Sequence, residues 1–124
     1  MMTKKISIID ASFKVNEKAV EIKVEEGYAV INLKPMEQML VDSDNLSFIY
    51  ITDMDEEYTY LAIPQTIWSQ LKEALDLEFK VYLTDGKDRI HLPGFIEEFG
   101  YLIENIKGNS NYGEDMVKKV ESIF

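Results

Sequence analysis

Apolar and polar residues alternate along the first part of the chain, which is the period of β-strands. The alternation runs from Ile6 to Val15, stops at Asn16-Glu17-Lys18 and resumes from Val20 to Val24. Because a short polar turn separates two alternating segments, we predict a β-hairpin here. A third strand is predicted over Tyr28–Leu33, ended by Pro35.

The middle of the chain continues this pattern with one ambiguous segment. Within Met36–Val41 the apolar residues Met36, Met39 and Leu40 have helical spacing, so a short helical turn is one alternative for this segment. Alternating aromatic and aliphatic residues then predict strands over Ser47–Thr52 and Tyr58–Ile63.

The period changes to that of a helix after Pro64, which suits a first helical turn. One apolar stripe follows, formed by Ile67, Trp68, Leu71, Ala74 and Leu75. Phe79–Leu83 and Arg89–Leu92 flank Asp85-Gly86, a strong hairpin signal, and Pro93-Gly94 ends the predicted sheet.

The last thirty residues have a helical pattern. A helix is predicted from Phe95 to Ile106, with Gly108 as its left-handed C-terminal residue. Asn111 is predicted to cap a second helix, with Glu114 completing a capping box. The sequence therefore predicts a single α+β domain over residues 1–124. Its sheet is expected to be mainly antiparallel with six or seven strands, with one helix after the central strands and two C-terminal helices.

Composition excludes several classes of function. Apolar residues make up 46% of the chain and charged residues 29%, as in folded proteins. A formal net charge of −10 and scattered basic residues disfavour nucleic acid and anionic membrane surfaces as partners. Because the chain has no cysteine, disulfides, thiolate metal sites and cysteine nucleophiles are excluded. No cofactor or metal centre is predicted.

The apolar runs are too short for targeting or membrane insertion. Lys4 and Lys5 precede Ile6–Ile9, but Ser7 and Asp10 interrupt this run, which is shorter than a signal-peptide core. No segment approaches the roughly 20 apolar residues of a membrane-spanning helix. We therefore expect a cytoplasmic protein that does not enter a membrane.

Asp42-Ser43-Asp44-Asn45 is the first candidate site, since its oxygen atoms resemble the start of a calcium loop. The match fails at the bend glycine, because Ser47 stands at the sixth position. The favoured interpretation is a turn whose Asp and Asn side chains bond the backbone, and binding of a divalent ion or polar ligand is the alternative.

Three other polar or aromatic groups are interpreted as structural. The acidic segment Asp53–Glu57 is typical of a solvated hairpin tip. His91 is predicted to face outward, because its neighbours Ile90 and Leu92 are apolar. Packing within the core or across strands is expected of the aromatic residues Phe48, Tyr50, Tyr58, Tyr60 and Trp68, rather than the lining of a pocket.

The second candidate site is the corner Gly108–Gly113, where glycines and asparagines are concentrated. An anion nest is one reading, but the corner lacks the phosphate-loop spacing, and Glu114 and Asp115 would repel a phosphate. Turning one helix into another explains most of the composition. A turn between two helices does not require Asn105, Asn109 and Tyr112. A recognition surface for a protein or a neutral polar ligand therefore stays open as the alternative.

Two motifs carry a family resemblance. They are Gln38–Asn45 and Glu104–Gly113, and they accompany Phe48-x-Tyr50, Tyr58-x-Tyr60 and Trp68. Together they resemble a small uncharacterised family of Bacillus, Staphylococcus and relatives, the YjbL-type proteins. The resemblance implies an origin in a Gram-positive cytoplasm. It implies no activity and no catalytic residue, because that family is of unknown function.

Two classes of function stay open. We favour a non-catalytic binding, interaction or regulatory protein, whose partner is another protein or a second copy of the chain. The alternative is a small enzyme that uses carboxylates and tyrosines or a divalent metal, which would require these groups to converge on one pocket. The candidate binding residues are Asp42, Asp44, Asn45, Asn105, Asn109, Asn111 and Tyr112.

Overall fold

The structure, a computed structural model, describes residues 4–124, so the first three residues of the predicted domain lie outside it. Over this range the chain forms seven strands and three α-helices. The strands are β1 (Lys4–Lys14), β2 (Ala19–Val24), β3 (Lys34–Asp42), β4 (Ser47–Met54), β5 (Glu57–Pro64), β6 (Lys80–Thr84) and β7 (Arg89–His91). The helices are α1 (Trp68–Leu77), α2 (Phe95–Ile106) and α3 (Glu114–Ile123).

The seven strands form one curled sheet in the order β3-β4-β5-β1-β2-β6-β7. β1 runs parallel to β5 and β2 parallel to β6, whereas the other neighbours are antiparallel. The predicted α+β class is confirmed, but the mainly antiparallel sheet is wrong because the sheet is mixed. Alternation identifies a strand without identifying its neighbour, and the two parallel pairs join segments that are distant in sequence.

The hairpins predicted from local signals are present. Lys18 takes a left-handed conformation (φ 52°) between β1 and β2, and Asp55 and Glu56 do the same between β4 and β5. The turn between β6 and β7 is held by Asp85, whose Oδ1 accepts hydrogen bonds from the backbone N–H groups of Lys87 and Asp88. Each turn is built by residues that lie next to one another in the chain.

The segment from Tyr28 to Val41 differs from its prediction. Tyr28–Leu33 is not a strand, and Met36–Val41 belongs to β3 rather than to a helical turn. β3 lies at the edge of the sheet, where proline is tolerated although it has no backbone N–H to donate to a neighbouring strand. The register of β3 against β4 shifts between Pro35 and Met39. Glu37 has a φ of 56° within this irregularity. The bulge breaks the two-residue period and leaves apolar residues at spacings that imitate a helix.

Helix placement also differs from the prediction. α1 lies on the crossover between β5 and β6, strands that are not neighbours, and a short 3₁₀ turn (Gln65–Ile67) precedes it. Asn111 does not cap α3, which begins after Gly113 without a side-chain cap. The capping side chain is instead Asn109, whose Oδ1 accepts from the N–H of Asn111 (3.1 Å) and begins a 3₁₀ turn, Ser110–Tyr112. Within residues 4–124, no helix has both the length and the apolar character that a membrane crossing needs.

An aromatic cluster forms the core between the sheet and the helices. The ring of Phe48 lies 4.9 Å from those of both Trp68 and Phe99, and Phe124 packs on the same group. The indole N–H of Trp68 donates to the carbonyl of Ile63 (3.2 Å), so the buried ring keeps its hydrogen bond. The predicted packing role is confirmed for Phe48 and Trp68, whereas Tyr58 is 50% exposed.

Tyr50 connects the two ends of the curled sheet. Its hydroxyl donates to the carbonyl of Pro93 (2.8 Å), which lies between β7 and α2, whereas Tyr50 belongs to β4 near the other edge. Glu37 of β3 packs beside Gly94 at the same point. Burial raises the pKa of Tyr50 to about 12; the charge of Glu37 adds to the increase and its backbone N–H opposes it. The Tyr50–Pro93 bond and the Glu37–Gly94 contact together hold the start of α2 against β4 and β3.

Replacement of Tyr50 by Phe tests this closure. We expect Tyr50→Phe to lower the free energy of unfolding by about 1–3 kcal/mol near pH 7, because the Pro93 carbonyl loses its partner. Folding favours the neutral phenol, so its contribution is complete below pH 10 and is lost as the pH rises from 10 towards 12. Urea unfolding between pH 8 and 12 should therefore show the difference between the proteins shrinking. A constant difference would contradict the assignment, and the exposed Tyr58→Phe is the control.

Candidate functional site

The turn Asp42–Asn45 connects β3 to β4 and is held by its own side chains. The Oδ2 atom of Asp42 accepts from Asn45 Nδ2 (2.8 Å) and from Lys5 Nζ (3.2 Å). Hydrogen bonds from Asn45 and the nearby Lys5 charge lower the pKa of Asp42, although partial burial opposes them. Asp42 is therefore an ionised carboxylate with partners in the fold. The predicted turn is present, but its principal bond joins two side chains rather than a side chain and the backbone.

The corner between α2 and α3 is also largely occupied by structural bonds. Asn109 caps the 3₁₀ turn, and the N–H of Gly108 donates to Glu121 Oε2 (2.8 Å). Gly108 has a φ of 70°, the conformation predicted for the residue after the helix. Asn105 and Asn111 are exposed. Asn105 and Asn111 therefore do not define a binding site by themselves.

A shallow cavity of about 360 Å³ joins part of the turn to part of the corner. We call it the turn–corner cavity; it is lined by Ser43, Asp44, Leu46, Tyr112, Gly113, Glu114, Asp115 and Met116. Of the predicted binding residues, the structure brings together Asp44 and Tyr112. It does not bring Asp42, Asn45, Asn105, Asn109 or Asn111 into this lining.

The chemistry of the turn–corner cavity is acidic. Asp44, Glu114 and Asp115 all line it, and Glu114 also pairs with Lys118 (2.7 Å). A phosphate would be repelled here, as the sequence indicates. Within the part of the chain that the structure describes, no group of three or more His, Asp or Glu side chains is arranged to hold a metal ion.

A larger concavity of about 670 Å³ lies between the C-terminal end of α1, strands β6 and β7, and α2. We call it the α1–α2 groove. Its apolar wall is formed by Leu75, Phe79, Val81, Leu92, Pro93, Phe95, Ile96 and Gly100, and its polar side chains are Glu78, Lys80, His91, Glu97, Tyr101 and Glu104. None of these residues was among the sequence-predicted binding residues.

The end of α1 shapes one side of the groove. Glu78 takes a left-handed conformation (φ 55°), its N–H donates to Leu75, and the N–H of Phe79 donates to Ala74. This reversal is a helix C-cap, and it sends the chain directly into β6. As a result Glu78 stays exposed at the rim while Phe79 turns into the core.

Gly100 shapes the opposite side. A Cβ atom at this position would lie 3.4 Å from Leu75 Cδ1, so α2 contacts α1 there without a side chain of its own. Because Gly100 and Leu75 both line the groove, a larger side chain at position 100 would take up space between the two helices. A glycine in the middle of an amphipathic helix is the one sequence signal that marks this place, because glycine lowers helix stability relative to alanine.

The rim of the groove is negatively charged and its exposed aromatic residue is Tyr101. Among the described residues Glu78 and Glu97 form no ion pair, and Glu104 has only Lys107 at 3.9 Å. Tyr101 is 67% exposed. His91 is exposed as predicted, and its ring packs 5.2 Å from that of Tyr82. The groove therefore combines an apolar wall with carboxylates that face solvent.

Comparison with known proteins identifies the family. A family model described as "Family of unknown function (UPF0738)" matches residues 6–124. The chain belongs to the UPF0738 family. A UPF0738 protein of Bacillus licheniformis is 41% identical over 123 residues, and the UPF0738 protein YjbL of Bacillus subtilis is 38% identical over 123 residues. Each alignment covers 99% of both chains.

The UPF0738 match confirms the resemblance to YjbL-type proteins and extends it over the N-terminal hairpin, where the sequence offered no motif. A further relative from Bacillus velezensis is 42% identical over 123 residues, with 99% of both chains covered. No solved structure matches this chain. Since the function of the UPF0738 family is unknown, these relatives assign no residue to a reaction or a ligand.

Replacement of Asp42 by Asn tests the turn. We expect Asp42→Asn to destabilise the protein by no more than about 1 kcal/mol at pH 7, because the Lys5 pair is partly exposed. Folding lowers the pKa of Asp42, so this contribution is present above pH 3.8 and is lost as the pH falls through the folded value. Urea midpoints measured from pH 7 to pH 3 should converge for the two proteins. Divergence at low pH would contradict the assignment.

Replacement of Gly100 by Ala tests the contact between α1 and α2. The new methyl group would lie at ordinary van der Waals distance from Leu75, while alanine favours the helix by about 0.8–1 kcal/mol. We therefore expect Gly100→Ala to raise the free energy of unfolding by up to about 1 kcal/mol, measured by urea denaturation. A loss of stability would mean that the two helices are packed too closely for a methyl group.

Proposed function

We propose that this chain is a non-catalytic, cytoplasmic interaction protein that binds a partner protein in the α1–α2 groove. The observation that carries the proposal is the apolar wall of this 670 Å³ concavity beside an exposed tyrosine. Binding sites in proteins are typically concave and mostly apolar, with a few polar groups at the edge.

Exposed aromatic residues beside apolar pockets often carry much of the energy of protein association. Tyr101 is 67% exposed and stands at the rim, one residue from Gly100 and the Leu75 contact. A partner side chain in the groove would cover Tyr101 and bury the remaining exposed surface of Leu75 and Ile96. Burial of this apolar surface is the main source of affinity for the proposed complex.

The groove lacks the arrangement that a general base requires. His91 is the only histidine of the chain, and among residues 4–124 no hydrogen bond joins it to an orienting carboxylate or to a nucleophile. Its neighbour is the ring of Tyr82. A binding role therefore fits this surface better than proton transfer.

The turn–corner cavity supports a second candidate, the small carboxylate enzyme. The observation in its favour is that Asp44 and Tyr112 line one concavity, although they belong to distant parts of the chain. The lowered pKa of the adjacent Asp42 disfavours proton donation at neutral pH, and Asp42 itself is outside the lining. We therefore rank this candidate second.

Site-specific photo-crosslinking tests the proposed function. The photoreactive residue p-benzoylphenylalanine replaces Tyr101 in the groove, Tyr58 on β5 or Asn111 at the corner, one at a time. After irradiation in a Gram-positive lysate, we expect a discrete protein adduct from position 101 and not from position 58, because Tyr58 lies on an exposed part of the sheet outside the groove. Adducts are measured by gel shift and mass spectrometry.

A second variant connects the adduct to the groove itself. Gly100→Met places a flexible side chain in the concavity, so the adduct from position 101 should fall by about tenfold while the fold, checked by circular dichroism, is retained. An adduct from position 111 alone would assign binding to the corner. Equal adducts from positions 58 and 101 would contradict a groove-specific partner.

A further inference from the structure

We propose that the α1–α2 groove takes a basic amphipathic segment of its partner, with apolar side chains in the groove and Lys or Arg side chains at the rim. This inference rests on the proposed function and specifies the chemistry of the occupant. Charge complementarity between the rim and the segment carries the proposal.

The rim carries three glutamates, Glu78, Glu97 and Glu104, against one lysine, Lys80. All four side chains are exposed. Glu78 and Glu97 have no ion-pair partner among the described residues, and Glu104 keeps only the long contact with Lys107. A bound cation would therefore gain attraction without displacing a strong internal pair, since the rim carboxylates face solvent.

Tyr101 provides a second preference for cations. Elsewhere in this fold, tyrosine rings are covered by the chain's own basic groups: Arg89 lies 4.2 Å from the ring centre of Tyr82, and Lys4 lies 5.0 Å from that of Tyr28. Within the described range no such cation covers Tyr101, whose ring stays exposed between Glu97 and Glu104 in sequence. An arginine or lysine of the partner would fill this place.

The same charges disfavour other occupants. An acidic peptide or a nucleic acid would meet three carboxylates on a chain with a formal net charge of −10. A second copy would bring an equally negative surface into contact with the rim. A neutral apolar segment would fit the wall of the groove but would leave the glutamates facing an apolar partner, which costs desolvation energy without a compensating ion pair.

Three fluorescent peptides of about 14 residues test the proposal. A groove of this kind recognises an amphipathic segment by its row of apolar side chains and by the charges beside that row. They share one apolar row of Leu and Trp and differ only in the polar positions, which are Lys, Gln or Glu. Fluorescence anisotropy gives the affinity of the full chain, and amide chemical shifts of the ¹⁵N-labelled protein give the location. We expect the Lys peptide to bind about tenfold more tightly than the Gln peptide and to shift resonances of groove residues.

A matched pair of variants separates the rim from the overall charge. Glu97→Gln/Glu104→Gln removes two rim carboxylates and should weaken the Lys peptide by about three- to tenfold. Glu56→Gln/Glu57→Gln removes the same charge at the β4–β5 hairpin tip, outside the groove. This control should change the affinity by less than about twofold, because distant exposed charges are screened.

Different failures overturn different claims. If the Lys and Gln peptides bind equally and both shift groove resonances, the basic occupant is wrong and the proposed function stands. If no peptide shifts groove resonances, the groove is not a peptide site, and both the basic occupant and the proposed function are wrong. The proposal is also overturned if the two double variants weaken binding equally. The small aromatic amine tryptamine is a further control: if it competes at the affinity of the Lys peptide, the groove does not require an amphipathic segment and the proposal is overturned. The proposal is also overturned if light scattering shows a dimer that the Lys peptide dissociates, because the occupant would then be a second copy of the chain.

Discussion

The hydrogen bond from Tyr50 to the Pro93 carbonyl is the contact on which the arrangement of the sheet and α2 depends. It joins β4, near one edge of the sheet, to the residue that follows β7 at the other edge. Without this bond the sheet would keep its strand pairs, but the start of α2 would lose one of the contacts that hold it. Glu37 beside Gly94 shows how closely the two ends meet, and Glu37 lies within the bulge of β3.

This closure determines where the groove forms. Pro93 and Gly94 fix the beginning of α2, and the left-handed Glu78 fixes the end of α1, so the two helices meet at Gly100 and Leu75 with an open space beside them. Tyr101, Glu97 and Glu104 then follow from the period of α2, because residues three or four apart share a face. The position of the groove is thus a property of the closed sheet rather than of any local motif.

Local signals in the sequence predict local structure here, and distant contacts escape them. The Asp85 turn, the Asp42–Asn45 turn and the left-handed Gly108 follow from neighbouring residues, so pattern alone identifies them. The parallel pairs, the bulge at Glu37 and the meeting of Asp44 with Tyr112 depend on segments far apart in the chain. The groove escaped prediction for the same reason, since its two helices lie on opposite sides of the β6–β7 hairpin in sequence.

The two concavities are separable because they share no lining residue, although α2 leads from one to the other. The core-facing residues of α2, Phe99 and Ile103 among them, hold the helix in place, while Tyr101 and Glu104 face the groove. The Asn109 cap and the Glu121 bond then build the corner without using any groove side chain. A substitution on the groove side of α2 therefore leaves the corner's bonds intact, so loss of binding can be assigned to one surface.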